Sequence, residues 1–205
     1  MVRQETIFLD GEGDSWFERN REPDATFPDP VMDIMRGGIY PHDVLEVGCG
    51  SGWRLFRLKN AYPCSVTGIE PSQKAIEFAK RAYNLDIYRG TATDMRDFRY
   101  DEFDLIIFGF CLYLVDRDSL FETVYLTDRL LRDGGHIIIH DFCPPSPYSR
   151  PYHHKAGVMS YKQDYSKLWL GNPSYGLVGS GTVGEDFESI TVLKKRMAHA
   201  WPRKS

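Results

Sequence analysis

Between residues 43 and 142 the apolar positions fall into short blocks that alternate between two kinds of spacing. Runs rich in β-branched and aromatic residues at Val44-Leu45-Glu46-Val47, Val66-Thr67-Gly68-Ile69, Phe103 to Phe108 and His136 to Phe142 predict strands. A shorter strand, near Asp86 to Tyr88, suits a sheet edge. Spacing of three and four between them predicts helices: Trp53 to Asn60, a segment capped by Pro71-Ser72, and a segment capped by Asp116 or Asp118. The second presents Ala75, Ile76, Ala79 and Tyr83 on one face; the third presents Leu120, Val124, Thr127 and Leu131 and is ended by Arg132-Asp133-Gly134-Gly135. Strand and helix alternating through short connections is the pattern of a parallel, doubly wound α/β sheet.

Outside this region the rhythm changes. The first forty residues have no strand pattern but hold a polar and aromatic cluster, Gly11 to Asn20, followed by Pro23, Pro28 and Pro30 and a short predicted helix, Val31 to Arg36, stopped by Gly37-Gly38. After Phe142, Pro144, Pro145, Pro147 and Pro151 make a stiff crossing. A helix near Gln163 to Leu170 and two strands, Tyr175 to Val178 and Glu188 to Lys194, complete the expected order.

The 205 residues suit one domain with a real core. A net charge of −4, with local basic character only at Arg196 and Arg203-Lys204, argues against nucleic acid as a partner. The chain has no apolar run of bilayer-spanning length and its start lacks a signal-peptide layout, so the expectation is a cytoplasmic protein without a membrane partner. Cys49, Cys64, Cys111 and Cys143 form no C-x-x-C pair, which gives neither a zinc site nor a disulfide framework, and no metal is expected.

The chemistry starts where the first strand runs out, at Glu46-Val47-Gly48-Cys49-Gly50-Ser51-Gly52. Alternate glycines supply positive φ and let a ligand approach backbone, while the following helix turns its free N–H groups toward that ligand. A dinucleotide turn, Gly-x-Gly-x-x-Gly, would need a third glycine at position 53, which is Trp53. The observed order, with an acid at Glu70 closing the next strand, resembles motif I and the ribose-binding acid of the class I S-adenosylmethionine (SAM) dependent methyltransferases. Leu131-x-x-Gly134-Gly135 before an apolar strand resembles the family's closing motif.

The resemblance implies a Rossmann-like, mostly parallel seven-stranded sheet with an antiparallel C-terminal hairpin. It implies one domain over residues 1–205: a lid at 1–40, a SAM-binding core at 41–142, and a substrate-side insertion with the hairpin at 143–205. Cofactor contacts then fall on Glu46, Gly48, Cys49, Gly50 and Gly52 in the turn, on Glu70 and Pro71 at the ribose, and on Thr91, Ala92, Thr93 and Asp94 at the adenine. Thr91 departs from the family, which commonly has an acid there; Asp94 or a backbone group is the stand-in. Phe110 and Tyr113 would wall the pocket, or pack against the next helix. In the Gly11–Asn20 cluster, Trp16 or Phe17 would cover the cofactor and Arg19 pair with its carboxylate, unless the cluster is a surface helix.

SAM brings its own leaving group and departs as S-adenosylhomocysteine, so the protein must align three atoms and exclude water. A hydroxyl acceptor also needs a base, and His140, His153 and His154, with Tyr152, cluster at or after a strand end that should border the site. The expected activity is methyl transfer to a small polar acceptor, a sugar or specialised metabolite, at a hydroxyl or amine. Two alternatives remain: another SAM chemistry such as cyclisation, and a non-catalytic SAM-binding protein.

Overall fold

The computed structural model describes residues 3–20 and 28–196, so Pro23, Arg203 and Lys204 lie outside the described residues. The chain opens with α1 (Gln4–Ile7), a π-turn (Phe8–Glu12) and α2 (Gly13–Arg19), then α3 (Pro30–Met35). β1 (Asp43–Val47), α4 (Trp53–Ala61), β2 (Ser65–Glu70), α5 (Gln73–Tyr83) and β3 (Tyr88–Arg89) follow. A 3₁₀ turn (Ala92–Asp97) leads to β4 (Phe103–Gly109), a second such turn (Leu112–Leu114), α6 (Arg117–Leu130) and β5 (Leu131–Phe142). The last part holds β6 (Tyr148–Pro151), β7 (Met159–Lys162), α7 (Lys167–Leu170), β8 (Tyr175–Thr182) and β9 (Glu188–Lys195).

Seven strands form one sheet in the order β3-β2-β1-β4-β5-β9-β8, parallel from β3 to β5, with β9 antiparallel to both of its neighbours. β6 and β7 form a separate antiparallel pair, an element the prolines of this stretch had concealed. The expected seven-stranded sheet and its terminal hairpin are therefore both present. Strand order reverses between β1 and β4, which opens a crevice at their carboxyl ends.

Both faces of the sheet are buried. Leu45, Val47, Ile106, Phe108, Ile137 and Ile139 pack with Leu120, Leu126 and Leu130 of α6, while Val44, Leu105, Ile107 and Ile138 pack with α3 and α4 on the other face. Period-two alternation fixes where polar residues of the same strands go. Glu46 and His140 share a face with Val44 and Ile138, toward α3 and α4, whereas Asp141 turns the other way.

Four element boundaries differ from the sequence expectation. β5 begins at Leu131, not His136, because Leu131 is fully buried and pairs with Phe103; the glycine stretch is a bulge inside the strand, with Gly134 at φ +85°. α6 accordingly buries Ser119, Leu120, Thr123, Leu126, Thr127 and Leu130, a face rotated from the predicted one, and the hydroxyls of Thr123 and Thr127 donate to the carbonyls one turn back. β3 is displaced to Tyr88–Arg89 by its pairing with Ile69 and Glu70. The helix expected over Gln163 to Leu170 shrinks to Lys167–Leu170, since Asp164 accepts from the backbone and hydroxyl of Ser166 and holds the first residues in a turn.

One buried cation ties three of these elements. Arg54 of α4 donates from Nε to Asp29 Oδ2 (2.9 Å) and from Nη1 to Glu46 Oε1 of β1. Asp29 also caps α3, accepting from the Val31 N–H at 3.1 Å. Space for the guanidinium comes from Gly109 of β4, where a Cβ would lie 2.5 Å from Arg54 Nη1. Arg54→Met would leave two buried carboxylates without their cation, and a loss of about 3–5 kcal/mol is expected in urea unfolding. Gly109→Ala should be destabilised in the same assay, and a variant of unchanged midpoint would show that the cation is not what holds α3 and α4 to the sheet.

Candidate active site

The crevice at the switch point is lined by the carboxyl ends of four neighbouring strands and closed by the N-terminal segment. β1 gives Val47 and Gly48, β2 gives Glu70 and Pro71, the end of β3 gives Gly90, Thr91 and Ala92, and β4 gives Gly109, Phe110 and Cys111. Leu114 and Val115 form one end, and Glu5, Phe8, Gly13 and Trp16 form the outer wall.

The three glycines of the turn all have φ between +56° and +73°, in the left-handed region that favours glycine. Their surroundings differ. A Cβ on Gly48 would meet Cys111 Cβ at 2.6 Å, whereas one on Gly52 would meet Ile87 and Leu85 side chains at 3.0 and 3.1 Å. Gly48 thus brings the turn close to the end of β4, while Gly52 packs the turn against the stretch before β3 and starts α4. The backbone N–H of Gly50 donates to Glu70 Oε2 at 2.8 Å, and the Ser72 N–H donates to Glu70 Oε1 at 2.9 Å. One carboxyl group therefore bridges the turn and the start of α5. Burial pushes its pKa up to about 7, with the charges of Glu46 and Asp14 adding to the rise and the two N–H donors opposing it.

The structure brings together Gly48, Glu70, Pro71, Thr91, Ala92, Phe110 and Trp16 from the sequence-predicted set. Glu46 lies behind the turn on Arg54, and Cys49 is buried against Gly68. Asp94 turns back on its own loop: its Oδ2 accepts from the N–H (2.7 Å) and hydroxyl (3.0 Å) of Thr91, closing a capping box, and this carboxylate does not line the crevice. Thr93 Oγ1 lies 3.3 Å from Thr91 Oγ1 within the same loop.

A second cavity adjoins the first, with Trp16 and Phe110 common to both. Its other walls are Tyr113, Phe142, Tyr152, His153 and His154, with Arg150, Ser160 and Lys162 from the β6–β7 pair. The His153 and His154 rings lie 3.7 Å apart at the exposed rim, and Tyr152 packs on His154 at 5.2 Å. Desolvation, together with the neighbouring His153 and Arg19, holds His154 below the ordinary imidazole range. Arg19 ion-pairs with Glu12 and donates to the Tyr152 hydroxyl at 3.4 Å, so it stands behind this wall.

His140 is elsewhere. It is 4% exposed, its Nε2 lies 2.7 Å from Glu188 Oε1, and Phe110 packs on its ring at 4.5 Å on the way to the cavities. Burial depresses its pKa, with Arg54 adding to the fall and Glu188 opposing it. The strand period that puts His140 on the Arg54 face is what removes it from the cleft.

Sequence reasoning passed over Lys162, whose ammonium sits 3.4 Å from the Phe142 ring centroid and has no carboxylate within 4.0 Å among the described residues. It also passed over Gln4 and Glu5, ahead of the recognised cluster. Gln4 is buried and fastens α1 to the far side of the crevice, with Nε2 donating to Leu114 O (2.8 Å) and Met159 O (3.2 Å). A charge and an amide isolated in an apolar or irregular stretch were the only signals.

Residues 44–135 match a family profile described as a methyltransferase domain. A nonribosomal peptide synthetase of Metarhizium robertsii is 45% identical over 74 residues, covering 33% of this chain and 1% of the synthetase. The chain spans only 1–4% of such curated relatives. The Burkholderia thailandensis 1,6-didemethyltoxoflavin-N1-methyltransferase, solved with 1,6-didemethyltoxoflavin and S-adenosylhomocysteine, superposes with a TM-score of 0.76 at 16% identity, over 96% of this chain and 91% of that one. The [4+2]-cyclase SpnF superposes with a TM-score of 0.64 at 14% identity, over 86% of each chain. These low identities establish a shared fold.

The Glu70 carboxyl sets a pH expectation. Its pKa near 7 means that it is protonated below neutrality and ionised above. Ribose hydroxyls donating to it favour the ionised form, so binding releases a proton and affinity rises with pH until about 7, by at most about tenfold per unit. Calorimetry with S-adenosylhomocysteine between pH 6 and 8 should record that rise, and Glu70→Gln should flatten it. A pH-independent affinity in the parent would remove Glu70 from the ribose contact.

Proposed function

We propose, from the match of residues 44–135 to a methyltransferase-domain profile and from the shared fold, that the chain is a SAM-dependent methyltransferase that transfers the methyl group of SAM to a small acceptor seated beside Phe110 and Trp16. The observation that carries this reading is the pair of adjoining cavities with those two rings in common. One contains the glycine turn and the Glu70 carboxyl; the other contains aromatic rings and proton-accepting side chains. SAM in the first would point its methyl group at the shared wall, and an acceptor in the second would meet it there.

The protein's part in such a transfer is positional. Phe110, Tyr113 and Phe142 exclude water and hold a planar acceptor against the methyl donor, and Trp16 covers the junction. His154, depressed below the usual range, is a free base at neutral pH and takes the proton of a hydroxyl or protonated amine, with His153 and Tyr152 beside it. His140 is assigned a structural part, because its imidazole is engaged with Glu188. The ammonium of Lys162 and the guanidinium of Arg150 give the acceptor cavity a positive wall, which suits an acceptor carrying a carboxylate, phosphate or ionised hydroxyl. Residues 4–19 act as the lid, since α1, the π-turn and α2 supply the outer wall of the cofactor crevice.

A second reading keeps SAM but changes the reaction. The likeness to a [4+2]-cyclase supports it, because that fold accommodates chemistry other than methyl transfer.

Incubation with SAM and a panel of small phenols, amines and aromatic carboxylates, followed by product mass, separates the two. Gain of one methyl group in place of hydrogen, with S-adenosylhomocysteine released, is the expected result; a product isomeric with its precursor would favour the second reading. On the accepted substrate, Lys162→Met should raise KM about tenfold or more while SAM affinity holds, as befits loss of a charge-assisted contact of roughly 1.5–3 kcal/mol. His154→Ala should lower kcat by about 10²–10⁴ for an acceptor that must lose a proton. Full activity in both variants would leave the second cavity without a role.

A further inference from the structure

At the nucleoside end of the crevice the polar side chains of the Thr91 loop and of the glycine turn are already engaged. Trp16 and Phe110, shared with the acceptor cavity, mark the methyl end; Thr91, Ala92, Leu114 and Val115 line only the first cavity and mark the other. An adenine buried there carries a 6-amino group, an obligate donor that is costly to leave unpaired. The acceptors within reach are few. Glu70 is occupied at the turn, the Thr91 hydroxyl is bonded to Asp94, and Asp94 is folded into its capping box. Leu114 O already accepts from Gln4.

We infer that Glu5 of α1 reads the adenine amino group, supplying from the N-terminal wall the acid that the Thr91 loop lacks. The inference rests on SAM being the ligand of this crevice. Glu5 lines the cavity, and both of its carboxyl oxygens are shut off from water with no hydrogen bond of good geometry, their only partners being loose contacts with the Asp116 carboxyl and the Ser119 hydroxyl. The Ser119 hydroxyl, itself 1% exposed, has no partner of better geometry than this carboxyl group. A buried carboxyl group left in that state is poised for a ligand. Its backbone is held in place: the Gln4 N–H donates to Asp116 Oδ2, and the Gln4 side chain bonds Leu114 O and Met159. Glu5, next in the chain to this anchored residue, is therefore preorganised at the cavity wall before any ligand arrives.

The chemistry fits adenine in particular. Burial and the adjacent Asp116 raise the proton affinity of Glu5, which favours a neutral carboxyl group. Such a group accepts from the 6-amino N–H through its carbonyl oxygen and donates its O–H to adenine N1, so one side chain satisfies two edge atoms. Glutamine offers the same acceptor and donor in the same geometry, and alanine offers neither.

The test is a comparison of S-adenosylhomocysteine with its analogue bearing hydrogen in place of the 6-amino group, by calorimetry at neutral pH. Wild type should prefer the amino compound by about tenfold, the equivalent of one hydrogen bond. Glu5→Gln should keep that preference. Glu5→Ala should weaken both compounds, since both keep N1, but should weaken S-adenosylhomocysteine about tenfold more than the analogue and so lose the preference. A wild type indifferent to the amino group, or a folded Glu5→Ala that still prefers it tenfold, overturns the assignment while SAM binding stands. Failure of wild type to bind either compound overturns SAM binding as well.

Discussion

The fold depends on a positive charge placed where water cannot reach it. Arg54 is 8% exposed and meets Glu46 and Asp29, themselves almost fully buried, so each of the three is tolerable only because the other two are present. The arrangement fixes α4 against β1 and brings in the cap of α3, and its proton affinity is raised by both carboxylates. It also explains two residues that otherwise look unrelated. Gly109 must lack a side chain so that the guanidinium fits, and His140 faces a cation and stays neutral.

With the underside of β1 and β4 secured in this way, the upper ends of the strands are free to carry the crevice. Glu70 performs the corresponding task there, binding the turn at Gly50 to the cap region of α5 at Ser72. The turn is thus held by its neighbours as well as by its own glycines, and the ligand-facing side of the carboxyl group is presented on a rigid support.

The central sheet was legible in the sequence because its information is local. Phe103 to Phe108 has one reading as a run of apolar residues, and Gly48, Gly50 and Gly52 have one as a turn of left-handed residues. What escaped was set by contacts across the chain. Leu131 looked like the last apolar position of a helix, and only its partner Phe103 draws it into a strand. Asp94 looked available for a ligand, and only the capping geometry with Thr91 removes it. His140 looked available to the cleft from its place at a strand end, yet the strand period turns it to the Arg54 face and it does not line the second cavity. The β6–β7 pair lay in a proline-rich stretch, where composition says loop and pairing of Arg150 with Ser160 says strand. No helix among the described residues is long and apolar enough to cross a membrane.

Asp14 carries a consequence for how the outer wall opens. Its Oδ1 accepts from the Ser72 hydroxyl at 2.7 Å and from the Lys74 N–H at 3.0 Å, so a carboxylate belonging to α2 completes the amino end of α5. The Lys74 N–H is an orphan donor of that helix's first turn, and a negative charge there is favoured by its dipole as well. Moving α2 outward therefore frees the Lys74 N–H and the Ser72 hydroxyl at the same moment, and Ser72, the cap of α5, also donates its N–H to Glu70. Wall, helix end and the Glu70 carboxyl are thus joined through Ser72, and a fluctuation that displaces one of them weakens the contacts of the others.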